Sequence, residues 1–259
     1  MRFVKRWLGD TQPSAGTTVP AVPAGRRIYC IGDIHGRADL LQDLQRRVVA
    51  DAADFTGQAV LIYLGDYIDR GLESRTVVEL LYEGPPGGFE AVYLMGNHEQ
   101  TLLDFLRHPR EVASWLIYGG RETLFSYGVD PGAPGGRQDL EALRDALEAR
   151  LPRHHLEFFE SCRFLHQEGD YCFVHAGIRP GVALGDQRNE DLLWIRQDFT
   201  ESEVDHGMVV VHGHSIEEEV AMRPNRIGID TGAFYTGVLT CLVLEGEERR
   251  LLQTGRLHA

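Results

Sequence analysis

The feature that most limits what this chain can fold into occurs three times: a run of apolar β-forming residues stops at a glycine and is followed at once by polar, ligand-type side chains. The three stops are Gly32-Asp33-Ile34-His35-Gly36, Gly65-Asp66-Tyr67-Ile68-Asp69-Arg70-Gly71 and Gly96-Asn97-His98-Glu99. Each reads as a buried strand delivering side chains into a loop. Asp33, Asp66 and Asn97 are separated by about thirty residues each, the length of one βαβ unit, and a helical pattern fills each gap. Parallel strands joined in this way end on one edge of the sheet, where open α/β sheets bind ligands. One site is therefore assembled from three stretches of chain.

A length of 259 residues suffices for one large α/β domain or two small ones, and the continuous hydrophobic strands favour one. The expected layout is a flexible tail and linker over 1–25, then a single catalytic domain over 26–259. Met1 to Asp10 could form a short basic amphipathic turn, but a frayed tail before the Pro/Thr/Ala/Gly-rich Thr11 to Gly25 needs no function. A net charge of -13 argues against a nucleic-acid duplex or an anionic membrane as partner, because both would be repelled at long range. Cys30, Cys162, Cys172 and Cys241 lack C-x-x-C spacing and read as reduced, buried thiols. No stretch approaches eighteen consecutive apolar residues, and the N-terminus lacks a signal h-region, so a cytoplasmic protein is expected. Oligomeric state is not readable from the sequence.

Along the chain, strand Arg27 to Ile31 leads to a helix from about Ala38 to Ala50 with Leu40, Leu41, Leu44 and Val48 on one face. Strand Gln58 to Leu64, a helix from about Glu73 to Tyr82, and strand Ala91 to Met95 follow. From Gln100 to about Ser161 helical periodicity replaces the strand pattern, with Leu140, Leu143, Leu147 and Leu151 on one helix broken at Pro152 and a loop at Pro131 to Gly136. This reads as a helical insertion over about 100–161, and as the place where substrate is chosen. Its Trp115, Tyr118, Phe125, Tyr127, Phe158 and Phe159 are expected to form its core rather than line a cleft. Strands return at Arg163 to His166 and Tyr171 to Val174, a hairpin, then at Met208 to Val211, Arg226 to Ile229 and Val238 to Leu244. The βα half and a mostly antiparallel β-rich half should pack as two layers.

The candidate ligands at strand ends are Asp33, His35, Asp66, Asn97, His175 and His214. A mixed carboxylate, imidazole and amide set suits Mn²⁺, Fe or Zn²⁺ better than Ca²⁺. Six ligands are too many for one open site, so two divalent ions sharing a carboxylate are expected, Mn²⁺ first among them. Such a pair activates a bridging water for in-line attack on phosphorus and offsets charge on the phosphoryl oxygens. His98 can protonate the leaving oxygen, with Asp69 orienting its imidazole. Arg70 offers a planar two-pronged donor to phosphate, Arg196 is a second candidate, and Asn97 can serve phosphate as well as metal. His212 alternates away from His214 and reads as core or surface; His108, His154, His155 and His166 read as without function.

These motifs, together with His175-Ala176-Gly177 and Gly213-His214, resemble the PPP-type metallophosphoesterases, the serine/threonine protein phosphatase superfamily. The bacterial and phage type, similar to lambda phosphatase, is matched further by Trp194-Ile195-Arg196 and Ile229-Asp230-Thr231-Gly232-Ala233, and the resemblance runs from Arg27 to about Leu244. It implies a two-layer βαβ sandwich of the calcineurin-like kind. One ion would be held by Asp33, His35 and bridging Asp66, the other by Asp66, Asn97, His175 and His214. The implied activity is a phosphomonoesterase of serine/threonine or dual specificity, acting on a phosphoprotein or a small phosphoester. A nucleotide or dinucleoside polyphosphate hydrolase is the alternative, and a non-catalytic scaffold is a third reading. Two departures bear on this choice. Met95 stands where the protein phosphatases usually carry arginine, and Asp69 and Glu99 stand where the symmetrical diadenosine tetraphosphate hydrolases usually carry alanine and aspartate.

Overall fold

The computed structural model describes residues 19–132 and 139–255. The elements run β1 (Arg26–Ile31), α1 (Ala38–Ala52), β2 (Gln58–Tyr63), α2 (Ser74–Tyr82), β3 (Glu90–Tyr93), α3 (Asn97–Arg107), α4 (Gly120–Ser126), α5 (Leu140–Glu148) and α6 (Arg153–Ser161). Then come β4 (Leu165–Glu168), β5 (Tyr171–Val174), α7 (Asn189–Trp194), α8 (Gln197–Thr200), β6 (Val209–His212), β7 (Ala221–Met222), β8 (Arg226–Gly228), α9 (Ala233–Thr236), β9 (Thr240–Glu245) and β10 (Glu248–Gln253). They form two five-stranded sheets, ordered β10-β9-β1-β2-β3 and β4-β5-β6-β8-β7.

Strand periodicity explains how the layers stack. Successive side chains point to opposite faces. In β1 and β2, Ile28, Cys30, Val60 and Ile62 therefore face Tyr171, Phe173, Val209, Val211 and Ile227 of the second sheet. Tyr29, Ile31, Leu61 and Tyr63 face the other way, onto Leu41, Leu44 and Val48 of α1 and Val77, Val78 and Leu81 of α2. Burial on both faces is why these strands read as unbroken apolar runs. All four cysteines are buried and free, and the β4–β5 hairpin forms as expected.

Three expectations change. The strand expected at Val238 to Leu244 belongs to the first sheet, where β9 pairs antiparallel with β1 in the register Ile28↔Leu244; β1 has a free edge there, and antiparallel pairing fills it. The second sheet is not mostly antiparallel, because β5, β6 and β8 run parallel. The crossover from β5 to β6 carries α7 and α8, which are too short to show a helical period in sequence. Among the insertion's aromatics, Trp115, Tyr127, Phe158 and Phe159 are core, but Tyr118 and Phe125 are 66% and 63% exposed.

Ahead of β1, Tyr171 Oη donates to Pro20 O at 3.1 Å and Val22 N donates to Gly246 O at 3.0 Å, with Val22 inside the inter-sheet core. The basic stretch Met1 to Asp10 and residues 133–138 of the Pro/Gly-rich loop lie outside the described residues. No helix among the described residues is long and apolar enough to cross a membrane.

The strand ends are tied together by one buried side chain. Glu99 Oε2 accepts from Gly96 N at 3.0 Å and Asp66 N at 2.9 Å, while Oε1 accepts from Tyr67 N at 2.8 Å and Ile68 N at 3.2 Å. Burial and the Asp66 charge push its carboxyl upward, and the backbone donors pull the other way. Both oxygens accept, so the carboxylate is the form that satisfies all of these amides. Glu99→Gln would turn an NH₂ group toward two of the donors. Urea denaturation should show unfolding free energy lower by about 2 to 3 kcal/mol; an unchanged midpoint would remove Glu99 from this bracing role.

Candidate metal centre

The backbone is bent where the sequence places its candidate ligands. Among the described residues, the non-glycine positions with positive φ are His35 (47°), Asp66 (51°), Asp69 (71°), Arg70 (65°) and His214 (61°). Each such conformation costs on the order of 1–3 kcal/mol and persists only where its surroundings hold it. Here Ile34 N and His35 N both donate to Asp66 O, at 3.0 and 2.8 Å, and Arg70 N donates to Gly119 O at 3.3 Å. The loops after β1 and β2 cross so closely that a Cβ on Gly36, at φ +62°, would lie 2.6 Å from Gly71 O.

These turns bring the strand-end residues together. Asp66 is buried at the centre, with His35 Nε2 3.4 Å from its Oδ2 and His175 Nε2 3.4 Å from its Oδ1. His35, Asp66 and His98 form one cluster of convergent ligand atoms, and Asp66, His175 and His214 form a second that shares Asp66. Asn97 Oδ1 lies 2.9 Å from both His175 Nε2 and His214 Nδ1. Asp33 accepts from His214 N at 3.0 Å through Oδ2. Arg196 is on the exposed side, close enough to act electrostatically on His175 and His214.

The donor set fits divalent cations. Asp33 Oδ1, His35 Nε2, His214 Nε2 and Asp230 Oδ2 are buried without a hydrogen-bond partner. Such orphaned atoms are costly unless something else engages them. His35 Nδ1 is 2.8 Å from Ile68 O and His175 Nδ1 is 2.9 Å from Leu64 O. Those carbonyls fix the proton on Nδ1 and turn the Nε2 lone pair toward Asp66. Burial holds the imidazoles neutral, lowering His35 to about 3 and His214 to about 2 and also lowering His175. Burial and the charges of Asp230 and Asp66 push Asp33 well above the ordinary carboxylate range. Burial would raise Asp66 too, but positive charge on the imidazoles around it, of which His98 is the one that stays protonated, outweighs burial and holds it below that range. Asp33, Asp66 and Asp230 have no Lys or Arg ion pair among the described residues, so the site is short of positive charge.

His98 differs from the other imidazoles. Burial lowers it, yet the charges of Asp66 and Asp69 overcome this and lift it to about 9. Its Nδ1 sits 2.6 Å from Asp69 Oδ2 and its Nε2 3.3 Å from Arg70 Nη2. The site thus holds neutral imidazoles that can ligate and one charged imidazole that can donate a proton.

Sequence reasoning missed several contributors. Asp230, at the end of β8, is 3% exposed and is pushed up to about 6 by burial, with Asp66 adding to the rise. It showed the same signal as Asp33, an apolar strand ending in aspartate and a small residue. Trp115 Nε1 donates to Asp69 Oδ2 at 2.7 Å and Thr123 Oγ1 donates to Asp69 Oδ1 at 2.6 Å. Phe234 stacks under the Arg70 guanidinium, 4.8 Å from ring centre to Cζ. None of these three carried a local sequence signal. His212 is wholly buried against Phe199, a core residue.

Comparison with known proteins agrees with this geometry. A family model described as calcineurin-like phosphoesterase matches residues 26–229. The asymmetrical bis(5'-nucleosyl)-tetraphosphatase PrpE of Bacillus cereus is 27% identical over 233 residues, covering 82% of this chain and 88% of the relative. Among solved structures, a crystal structure of a putative diadenosine tetraphosphatase superposes with a TM-score of 0.61 at 20% identity, covering 92% and 99% of the two chains. A protein serine/threonine phosphatase from Saccharomyces cerevisiae superposes with a TM-score of 0.55 at 14% identity, covering 91% and 81%. At these identities the structural matches speak to fold. The family match, which spans the strand ends from Asp33 to His214, shows that the chain belongs to the calcineurin-like phosphoesterases.

Proposed function

We propose that the chain is a divalent-metal-dependent hydrolase of dinucleoside polyphosphates that cleaves them asymmetrically. This is the alternative raised by the sequence, and the comparisons favour it over a protein phosphatase. The relative at 27% identity carries that activity in its name, whereas the likeness to the yeast protein phosphatase is one of fold at 14% identity. Met95 already pointed away from protein substrates, and Asp69 and Glu99 away from symmetrical cleavage.

The observation that carries the reading is a pair of aromatic surfaces, one beside each cluster. Trp194, 46% exposed, sets its ring edge-on to His214 at 6.2 Å between centroids. At the other cluster Phe234 lies 5.6 Å from His35, and Tyr235, 60% exposed, packs on Phe234 at 4.9 Å. A substrate with a polyanionic middle and an aromatic base at each end matches a cation-binding centre flanked by two stacking surfaces.

In this reading Asp33, His35 and Asp66 hold one cation, and Asp66, Asn97, His175 and His214 hold the other. Mn²⁺ is the first ion to test, with Fe and Zn²⁺ compatible with the same donors. The ions would supply an activated water and charge compensation for the phosphoryl oxygens. Arg70, held by Phe234 and Gly119, and Arg196 orient the phosphates, with Asn97 close by. Water oxygen bonds to the phosphorus next to one nucleoside as the bond from that phosphorus to the bridging oxygen breaks. His98 Nε2 gives its proton to the leaving polyphosphate, and Asp69 stabilises the charged ring beforehand.

With Mn²⁺ and diadenosine tetraphosphate, chromatography should show AMP and ATP in equal amounts. Two ADP would overturn asymmetry, and faster turnover of phosphopeptides would overturn the substrate class. His98→Asn should lower kcat by about 10²-fold or more with metal content unchanged; an unaffected kcat removes His98 as the acid, and no turnover by the metal-loaded unaltered protein would leave the scaffold reading. Activity needing protonated His98 is lost as pH rises through its pKa, and Asp69 helps raise that pKa. Asp69→Asn should therefore move the basic limb of the kcat–pH profile to lower pH, and a stationary limb would separate Asp69 from His98. Trp194→Ala should raise KM for the dinucleotide about 5- to 100-fold, the equivalent of one lost base stack, and leave KM for an aryl phosphate nearly unchanged. Equal effects on both substrates would rule out stacking at Trp194.

A further inference from the structure

Away from the strand-end centre, a second set of ligand-type side chains converges between two helices. Glu79 on α2 places Oε2 3.2 Å from His154 Nε2 and 2.8 Å from His155 Nε2, both on α6. One ligand atom from each of the three residues lies within 4.8 Å of the others. His155 is wholly buried, and its other ring nitrogen, Nδ1, is 2.8 Å from Tyr127 Oη. The His154 ring packs against Tyr82 at 4.6 Å and edge-on to His155 at 4.5 Å. Burial lowers the His155 pKa, which keeps the ring neutral as a ligand must be.

We propose that Glu79, His154 and His155 form a third metal site, one that takes Zn²⁺ or a similar first-row divalent ion and clamps the helical insertion to α2. Two imidazole nitrogens and a carboxylate oxygen make up a common three-residue zinc donor set, the fourth position being left to water. Tetrahedral coordination with bonds of about 2.0–2.1 Å separates ligand atoms by about 3.3 Å. The 3.2 Å gap from Glu79 to His154 meets this, and the 2.8 Å gap to His155 needs only a small shift of the Glu79 carboxylate, whose side chain is 42% exposed. Tyr127 supplies the outer hydrogen bond that orients a metal-bound histidine. An ion pair with Glu79 would need one histidine; here two converge on the same oxygen, the buried one held from behind. The sequence read His154 and His155 as without function; this proposal gives them a structural task, and its residues take no part in the proposed hydrolysis.

The test compares the full-length protein with Glu79→Gln and His154→Ala, both at partly exposed positions, after equilibration with excess ZnCl₂ and removal of free metal. Elemental analysis should give about one zinc fewer per chain in each variant, with Mn²⁺-supported hydrolysis retained. Zinc should also raise the Tm of the variants less than that of the unaltered protein. In the unaltered protein, zinc added beyond the amount that fills the strand-end centre should protect His154 from diethyl pyrocarbonate, read by peptide mass. Equal zinc content in all three proteins, or modification of His154 that zinc does not slow, would overturn the site.

Discussion

The carboxylate of Asp66 is the interaction on which the rest of this molecule depends. It is wholly enclosed by protein, where an isolated charge is costly, yet the charged imidazole of His98 helps hold it ionised, and the neutral rings of His35, His175 and His214 surround it. Its two oxygens face different clusters, and its backbone amide and carbonyl fasten to Glu99 and to the loop after β1. Asp33 and Asp230 bring further carboxyls into the same buried space and are pushed upward for it. A centre arranged in this way gains most from cations, and the fold has built the shortage of positive charge that draws them.

Holding that arrangement requires rigidity elsewhere. His35, Asp66, Asp69, Arg70 and His214 all adopt left-handed backbone conformations, which a flexible loop would abandon. The two-faced burial of β1 and β2 supplies the stiffness. Their alternating residues are locked between the second sheet and the helices, so the strand ends cannot shift without disturbing both cores. Glu99 then transfers that rigidity from β2 to the first turn of α3, where Asn97 and His98 begin the helix.

What the sequence made legible was what depends on short range. Asp33, Asp66, Asn97 and His98 follow apolar strands directly, so their type and place could be read together, and His175 and His214 followed from the same pattern. Long-range pairing was not legible: β9 carries an ordinary strand pattern, and only the free edge of β1 decides which sheet it joins. Glu99 was legible only as the end of the Gly96-Asn97-His98-Glu99 stop, because its bonds to the Asp66 loop span more than thirty residues. Trp115 read as a core residue of the insertion and Thr123 drew no reading, because nothing near them in sequence announces Asp69. Asp230 had the right local pattern, and only its proximity to Asp33 sets it apart from a turn aspartate.

The insertion has a task toward the centre that its sequence did not announce. Choice of substrate was expected there, yet the aromatic surfaces beside the two clusters are Trp194 on α7 and Phe234 and Tyr235 on α9. What the insertion gives the centre is Trp115 and Thr123, which donate to the two oxygens of Asp69, and the Gly119 carbonyl, which accepts from Arg70. Two donors on Asp69 fix its rotamer and its distance to His98 Nδ1, and with them the proton-holding strength of that ring. Under the proposed function the insertion would therefore set the acid and the phosphate clamp, while the second sheet and its returning loop would face the ends of the substrate. On that reading, variation at Trp194 or Tyr235 would change how the ends of the substrate are held and leave the His98–Asp69 pair intact, whereas Phe234 serves both tasks because it also stacks on Arg70.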